Sequence, residues 1–163
     1  MDNDFKNKKA GINTEESILG LVVYSPIIYF LLFLVGFVSH LYYPIYLPKK
    51  EILMPVGFIL IFIAPLLIFW AQHSIKKFVA HQKEGNTIFH VGPYKYSRNP
   101  TYLGLALLTL GFSFVSLSFM VLVSTIVSFH IVNFFVVKKE EELMHKKYGE
   151  DYTKYKTDVR TWL

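Results

Sequence analysis

Three long stretches of this chain carry no charged side chain: Ile18–Ser39, Ile52–Gln72 and Thr101–Val137, of 22, 21 and 37 residues. A bilayer's hydrocarbon core takes roughly 20 helical residues. Inside it every backbone N–H and C=O must find a partner within the segment, which leaves the helix as the natural solution for such runs. The first two each supply one span, and Pro55 and Pro65 are tolerated within the second. The third, as a single helix, would be about 55 Å long against a core of ~30 Å. It is expected to fold back in the Ser-rich stretch Ser113–Ser118, giving a helical hairpin over 101–137. The expected fold class is therefore all-α: a multi-pass membrane protein of four transmembrane helices, with a C-terminal helical hairpin and a helical tail. Residues 1–17 read as a polar tail, 18–72 as two N-terminal spans, and 73–163 as a core of loop, hairpin and tail. The first run is too long for a signal-peptide core and is kept as a helix.

Charge placement orients the bundle. Lys and Arg total 17 against 12 Asp and Glu, a net +5. That balance could suggest nucleic acid, but the positive charges flank apolar runs instead of forming one stripe. With four spans, fifteen of the 17 fall on one side, in the N-terminal tail, the 73–100 segment and the tail after Val137. Only Lys49 and Lys50 lie opposite. The positive-inside rule then predicts both termini and 73–100 in the cytosol. Tyr42, Tyr43, Tyr46 and Trp70 fit interfacial anchors. With no cysteine, disulfide frameworks, Cys-ligated zinc, Fe–S clusters and a thiol nucleophile are excluded. A hydrophobic fraction of 53% with 18% charge excludes intrinsic disorder. The six histidines show no metal-ligand spacing, so no metal is expected.

Chemistry is expected on the side that holds the polar material. Thr87–Gly104 reads TIFHVGPYKYSRNPTYLG. Gly92-Pro93 marks a turn, and Asn99-Pro100 has the form of a helix start, with Asn as N-cap and Pro in the first turn. Free N–H groups at that start, with Arg98 beside them, suit a carboxylate or phosphate; the plainer reading is a capped helix whose cations touch lipid phosphates. The second cluster is KKEEELMHKKYGEDYTKY, from Lys138 to Tyr155. Helical spacing puts Glu141, Met144, His145 and Tyr148 on one face before Gly149 ends the helix. Extended backwards, the stripe takes in His130, Asn133 and Val137. Small residues (Gly104 and Gly111 on span three, Ser124 and Ser128 on span four) would let the hairpin close tightly. The two clusters would then become walls of one pocket, Arg98 on one side and Glu141 on the other.

Together GPYKYSRNPTYLG and EEELMHKKYGEDYTKYKTDV resemble the integral-membrane methyltransferases of the isoprenylcysteine carboxyl methyltransferase and phospholipid N-methyltransferase group. Gly92, Tyr94, Arg98, Pro100, Tyr102 and Gly104 match the first motif, and Glu140, Glu141, Tyr148, Gly149, Tyr152 and Tyr155 the second. Asn99 stands where isoprenylcysteine enzymes usually carry His, and Met144 where Leu is usual. The resemblance implies a methyltransferase core over 73–163 and S-adenosylmethionine as cofactor, held between hairpin and tail. It implies Arg98 and Glu141 as the central residues. Lining residues would be His90, Gly92, Tyr94, Asn99, Pro100, Tyr102, Gly104, Glu140 and Tyr148. Arg98 would take the cofactor's carboxylate and Glu141 or Glu140 its ammonium or ribose hydroxyls. The implied acceptor is lipid-borne or amphiphilic, a carboxylate or an amine; an amine must first lose a proton, and His90 and His145 are the candidate bases. Two other readings stay open: an NADPH-dependent sterol-type reductase, and a non-catalytic four-helix protein that binds lipid or a partner.

Overall fold

The computed structural model describes residues 24–83 and 89–163, with side chains through 75 in the first segment. The expected polar tail 1–17, the first residues of the first span and the side chains of Lys76, Lys77, His81 and Lys83 lie outside the described residues. The described chain is helical, with one isolated β-bridge among the described residues, between Tyr46 and Ser118. Helix α1 spans Tyr24–Tyr42 and α2 Lys50–Lys83. A 3-10 turn, Gly92–Lys95, leads into α3, Pro100–Val115. Helix α4, Phe119–Ile131, continues through a π-helical segment, Val132–Val137, into α5, Lys138–Asp158.

Three of these helices are long and apolar enough to cross a membrane: Tyr24–Tyr42, Lys50–Ile75 and the continuous rod Phe119–Asp158, whose uncharged part ends at Val137. The apolar α3 has only 16 residues. The expected reversal occurs at 116–118. Ser118 caps α4, its hydroxyl accepting from Val121 N at 3.2 Å, and Leu117 takes φ +51. Leu47 N donates to Leu117 O at 2.7 Å and Phe119 N to Ile45 O at 3.0 Å. These bonds hold the 43–49 loop and the 116–118 turn together at one end, so the polar segments 89–99 and 138–163 collect at the other.

The small residues pack differently from the expectation. Gly111 meets Gly57 backbone to backbone, a Cβ on either coming within 2.9 Å of the other's carbonyl oxygen, and Gly104 faces Ile68 and Ala64. All three contacts belong to α2, not α4. Ser124 packs against Gly36 of α1. Small side chains thus close the α2–α3 and α1–α4 pairs, while Tyr102, Leu105 and Ala106 of α3 pack on Val132, Val136 and Val137 of the rod that continues α4. The expected stripe from His130 to Glu141 also fails. A π segment adds a residue to the turn and shifts the register below it. His130 ends up exposed, its Nδ1 2.9 Å from the Ile126 carbonyl of its own helix. Gly149, expected to end the helix, instead bends it (φ 54, ψ −122) and the chain resumes helical geometry to Asp158. That φ lies in the left-handed region open to glycine.

Candidate active site

The site is built where α3 begins, and the C-terminal segment folds over it. Pro100 occupies the first turn of α3 and is buried. Asn99 holds the N-cap position, but its side chain makes no cap bond. Its Nδ2 donates to Thr161 O at 3.1 Å instead. The Ser97 hydroxyl accepts from Asn99 N at 3.2 Å and donates to the same Thr161 carbonyl at 3.3 Å. Arg98 N donates to Arg160 O at 3.0 Å. The main-chain carbonyls of Arg160 and Thr161 thus lie against Ser97, Arg98 and Asn99, the residues just before α3.

Arg98 is the organising side chain. Nη2 donates to Glu141 Oε1 at 2.8 Å and to Thr161 Oγ1 at 2.6 Å. Nη1 donates to the carbonyls of Lys156, at 2.8 Å, and Val159, at 3.1 Å. Only a planar guanidinium fork can serve four acceptors in this arrangement. Its Nε is buried without a partner among the described residues. Lys156 Nζ lies 2.8 Å from Glu141 Oε2, so Glu141 joins two cations. Arg98, Lys156, Thr157, Val159, Arg160 and Thr161 line a shallow, open depression beside this network. The two sequence motifs do meet, as expected, but Arg98 and Glu141 touch directly and no cleft separates them.

An aromatic cluster lies alongside. Phe89 stacks on Tyr155, with ring centroids 5.1 Å apart, and meets Tyr148 and Tyr152 edge-on at 5.2 and 5.7 Å. Tyr155 OH donates to Tyr94 O at 2.8 Å, tying α5 to the 3-10 turn. Burial pushes the phenols of Tyr94, Tyr152 and Tyr155 above their usual range, so all three stay neutral hydrogen-bonding groups. On the inner side, Tyr102 OH donates to Glu140 Oε2 at 2.7 Å. Burial raises the Glu140 carboxyl; the Tyr102 bond works against this and the Glu141 charge adds to it.

The remaining expected residues divide. His90 is exposed at the rim, edge-on to Tyr155 at 5.2 Å, with Nε2 3.8 Å from Asp158 Oδ2. Gly92, at φ +57, lets the turn approach Ser74 and Trp70 of α2. Gly104 faces α2, away from the Arg98 network, so helix packing accounts for it. His145 is exposed, near Thr153 at 3.2 Å, off the face shared by Met144 and Tyr148. Sequence reasoning missed Phe89, Ser97, Lys156, Val159, Thr161 and Trp162. Trp162 packs on Phe129 at 4.7 Å and its Nε1 donates to Asn133 Oδ1 at 3.2 Å. Its signal was available as an isolated aromatic at the end of a strongly polar tail.

Comparison with known proteins bears on the same region. The model of the phospholipid methyltransferase family matches residues 52–151, a stretch that takes in α2, the first motif, the hairpin and the first part of α5. No curated protein and no solved structure matches the chain.

Proposed function

We propose that this chain, which belongs to the phospholipid methyltransferase family, transfers a methyl group from S-adenosylmethionine to a lipid-borne or amphiphilic acceptor. That it is a membrane methyltransferase in general follows from the family; the donor, the acceptor and the site are our reading. The observation that carries the site is the 2.8 Å contact between Arg98 and Glu141, because it joins the two motifs into one polar locus at the end of an apolar bundle.

The residues suit the cofactor chemically. The buried Nε of Arg98 has no partner among the described residues, a spare donor of the kind a carboxylate-binding guanidinium offers. Lys156 and Arg160 add positive charge on the open side. Glu141 offers an anion for the ammonium, while Phe89, Tyr148, Tyr152 and Tyr155 offer faces for a purine or an onium cation. S-adenosylmethionine, when bound, supplies an electrophilic methyl group on a sulfonium centre. The chain's own task is to hold that group and the acceptor in line and to exclude water. Positioning of this kind accounts for a large share of the acceleration in displacement reactions. No proton transfer through His130 or His145 enters this account, since both rings face outward.

In this reading the chain crosses the bilayer four times, α3 being the short span, with both termini and the site at the cytosolic face. Residues 18–72 provide the lipid-embedded scaffold and 73–163 the catalytic unit. A site at the membrane boundary is reachable laterally, which favours an acceptor dissolved in the bilayer. The test is to incubate membranes from overexpressing cells with methyl-labelled S-adenosylmethionine and identify the labelled molecule. Label in a lipid extract, absent from Arg98→Ala membranes, is the expected result. Label no higher than in membranes lacking the protein, together with calorimetric binding of NADPH, would overturn the reading in favour of reduction.

A further inference from the structure

Beyond Asp158 the chain leaves helical geometry, and residues 159–163 have no regular secondary structure of their own. They turn back along the bundle. The carbonyl of Val159 accepts from Arg98 Nη1 at 3.1 Å, and that of Arg160 from Arg98 N at 3.0 Å. Thr161 engages three side chains: its hydroxyl accepts from Arg98 Nη2 at 2.6 Å, and its carbonyl from Ser97 Oγ at 3.3 Å and Asn99 Nδ2 at 3.1 Å. Trp162 then reaches Phe129 and Asn133, nine and five residues before Lys138, the first charge of the rod. That lies roughly 7–14 Å further into the apolar part of the bundle, at 1.5 Å per helical residue. The segment is a strap pinned at Thr161 and at Trp162.

A guanidinium has five N–H donors, and Arg98 has committed most of them. Nη1 donates to the carbonyls of Lys156 and Val159, and Nη2 to Glu141 and Thr161. The buried Nε has no partner among the described residues. A carboxylate is gripped by two parallel N–H groups, one for each oxygen. Nε alone cannot seat it, so a neighbouring donor must be vacated. On Nη2 the choice is between Glu141, a charged partner that Lys156 also holds at 2.8 Å, and the neutral hydroxyl of Thr161. Exchanging that hydroxyl for a carboxylate oxygen replaces a bond charged on one side by one charged on both. Net charge favours the exchange too. Arg98, Lys156 and Arg160 line the depression together with Thr161, while Glu141, paired with two of these cations, brings one negative charge. The depression therefore stays positive while the strap offers Arg98 neutral oxygens.

We infer that residues 159–163 are a self-occupying strap: in the free protein Thr161 fills the place on Arg98 that the ligand's carboxylate takes, and ligand binding lifts Thr161, and Trp162 with it, off the bundle. The inference rests on the methyl-transfer reading above, which identifies that ligand as S-adenosylmethionine. The strap has a physical reason. A buried guanidinium with unmet donors is costly, and the strap's oxygens satisfy it until the ligand does. A short segment without secondary structure opens at low free-energy cost, so the exchange is accessible. The ligand's apparent affinity is then lowered by whatever holds the strap shut. Weakening the strap tightens binding.

Calorimetry on the purified chain in detergent tests this with two probes: S-adenosylmethionine, and methylthioadenosine, which keeps the nucleoside and lacks the carboxylate and ammonium. Thr161→Val, which keeps the side chain's shape and removes the acceptor, should tighten S-adenosylmethionine on the order of tenfold or more, the value of a hydrogen bond to a charged group. It should leave methylthioadenosine within about twofold. Trp162→Ala, which loosens the other pin, should also tighten S-adenosylmethionine, with melting curves confirming that both variants fold. In a Trp70→Phe background, where Trp162 is the remaining tryptophan, S-adenosylmethionine should shift the emission to the red and methylthioadenosine should not. Equal affinity in wild type and both variants overturns the inference, as does binding without a spectral shift. Weaker binding in the variants overturns it as well, and would make the strap a cover that helps to hold the cofactor. Failure of wild type and both variants to bind S-adenosylmethionine is a different outcome: it sinks the methyl-transfer reading itself, and the strap inference with it.

Discussion

Replacing Arg98 by alanine should release the C-terminal segment from the helical bundle without unfolding the bundle. The guanidinium is 7% exposed and donates four bonds, to Glu141, Thr161, Lys156 and Val159. Three of those partners lie in the last eight residues, so one side chain ties that segment to the bundle at three points. Hydrogen bonds from a charged donor contribute about 1.5–3 kcal/mol each, but bonds sharing one group are not additive. Breaking a buried ion pair costs about 3–5 kcal/mol. Glu141 keeps Lys156 at 2.8 Å, which places the loss near the lower bound. About 3 kcal/mol corresponds to a roughly 150-fold rise in the open population of the segment. Trp162 reports it directly, since its ring lies 4.7 Å from Phe129 and its Nε1 is bonded to Asn133. The chain has only two tryptophans, so a Trp70→Phe background isolates the signal. On Arg98→Ala, Trp162 emission should shift to the red and amide exchange over residues 159–163 should accelerate, with exchange in α2 and α3 unchanged. Unshifted emission and retained protection would refute the idea that Arg98 fastens this segment.

Gly149→Ala should destabilise the protein by roughly 1–3 kcal/mol through backbone strain alone, because φ is +54 and an added Cβ would meet nothing within 4 Å; thermal melting in detergent measures it. Burial raises the Glu140 carboxyl from its ordinary 4.5. Stability from that group is therefore fully present below pH 4.5 and is lost as pH rises through the raised value. Melting curves of Glu140→Gln should show less decline with rising pH than wild type; an unchanged slope would contradict the burial argument. His130→Ala should change stability by no more than about 0.5 kcal/mol and leave methyl transfer intact, since among the described residues the exposed ring hydrogen-bonds to its own helix. A large loss of labelled product would return His130 to the mechanism.

Bilayer arithmetic made the helical class, the hairpin and its turn at 116–118 legible in the sequence. No comparable rule exists for lateral packing. Gly104 and Gly111 announce a close approach but not which helix approaches, and α2 takes the position through Gly57 and Ile68. The polar stripe failed because a straight 3.6-residue period was extended through Val132–Val137, where the π turn moves His130 off the face of Glu141. Arg98 and Glu141 were singled out from motif spacing because each is chemically distinctive, and the fold brings the two into contact. Thr161 and Trp162 were not, because their role depends on the tail doubling back over the start of α3, mostly through backbone carbonyls that carry no sequence signature.

The central claim is that Arg98 and Glu141 act as one unit in holding the methyl donor. A double-mutant cycle read as S-adenosylmethionine affinity by calorimetry tests it most directly. Arg98→Ala and Glu141→Ala should each weaken binding, and the double variant should bind no more weakly than the worse single one, because the first substitution already breaks the unit. Wild-type affinity in both single variants, or losses that simply add, would contradict it.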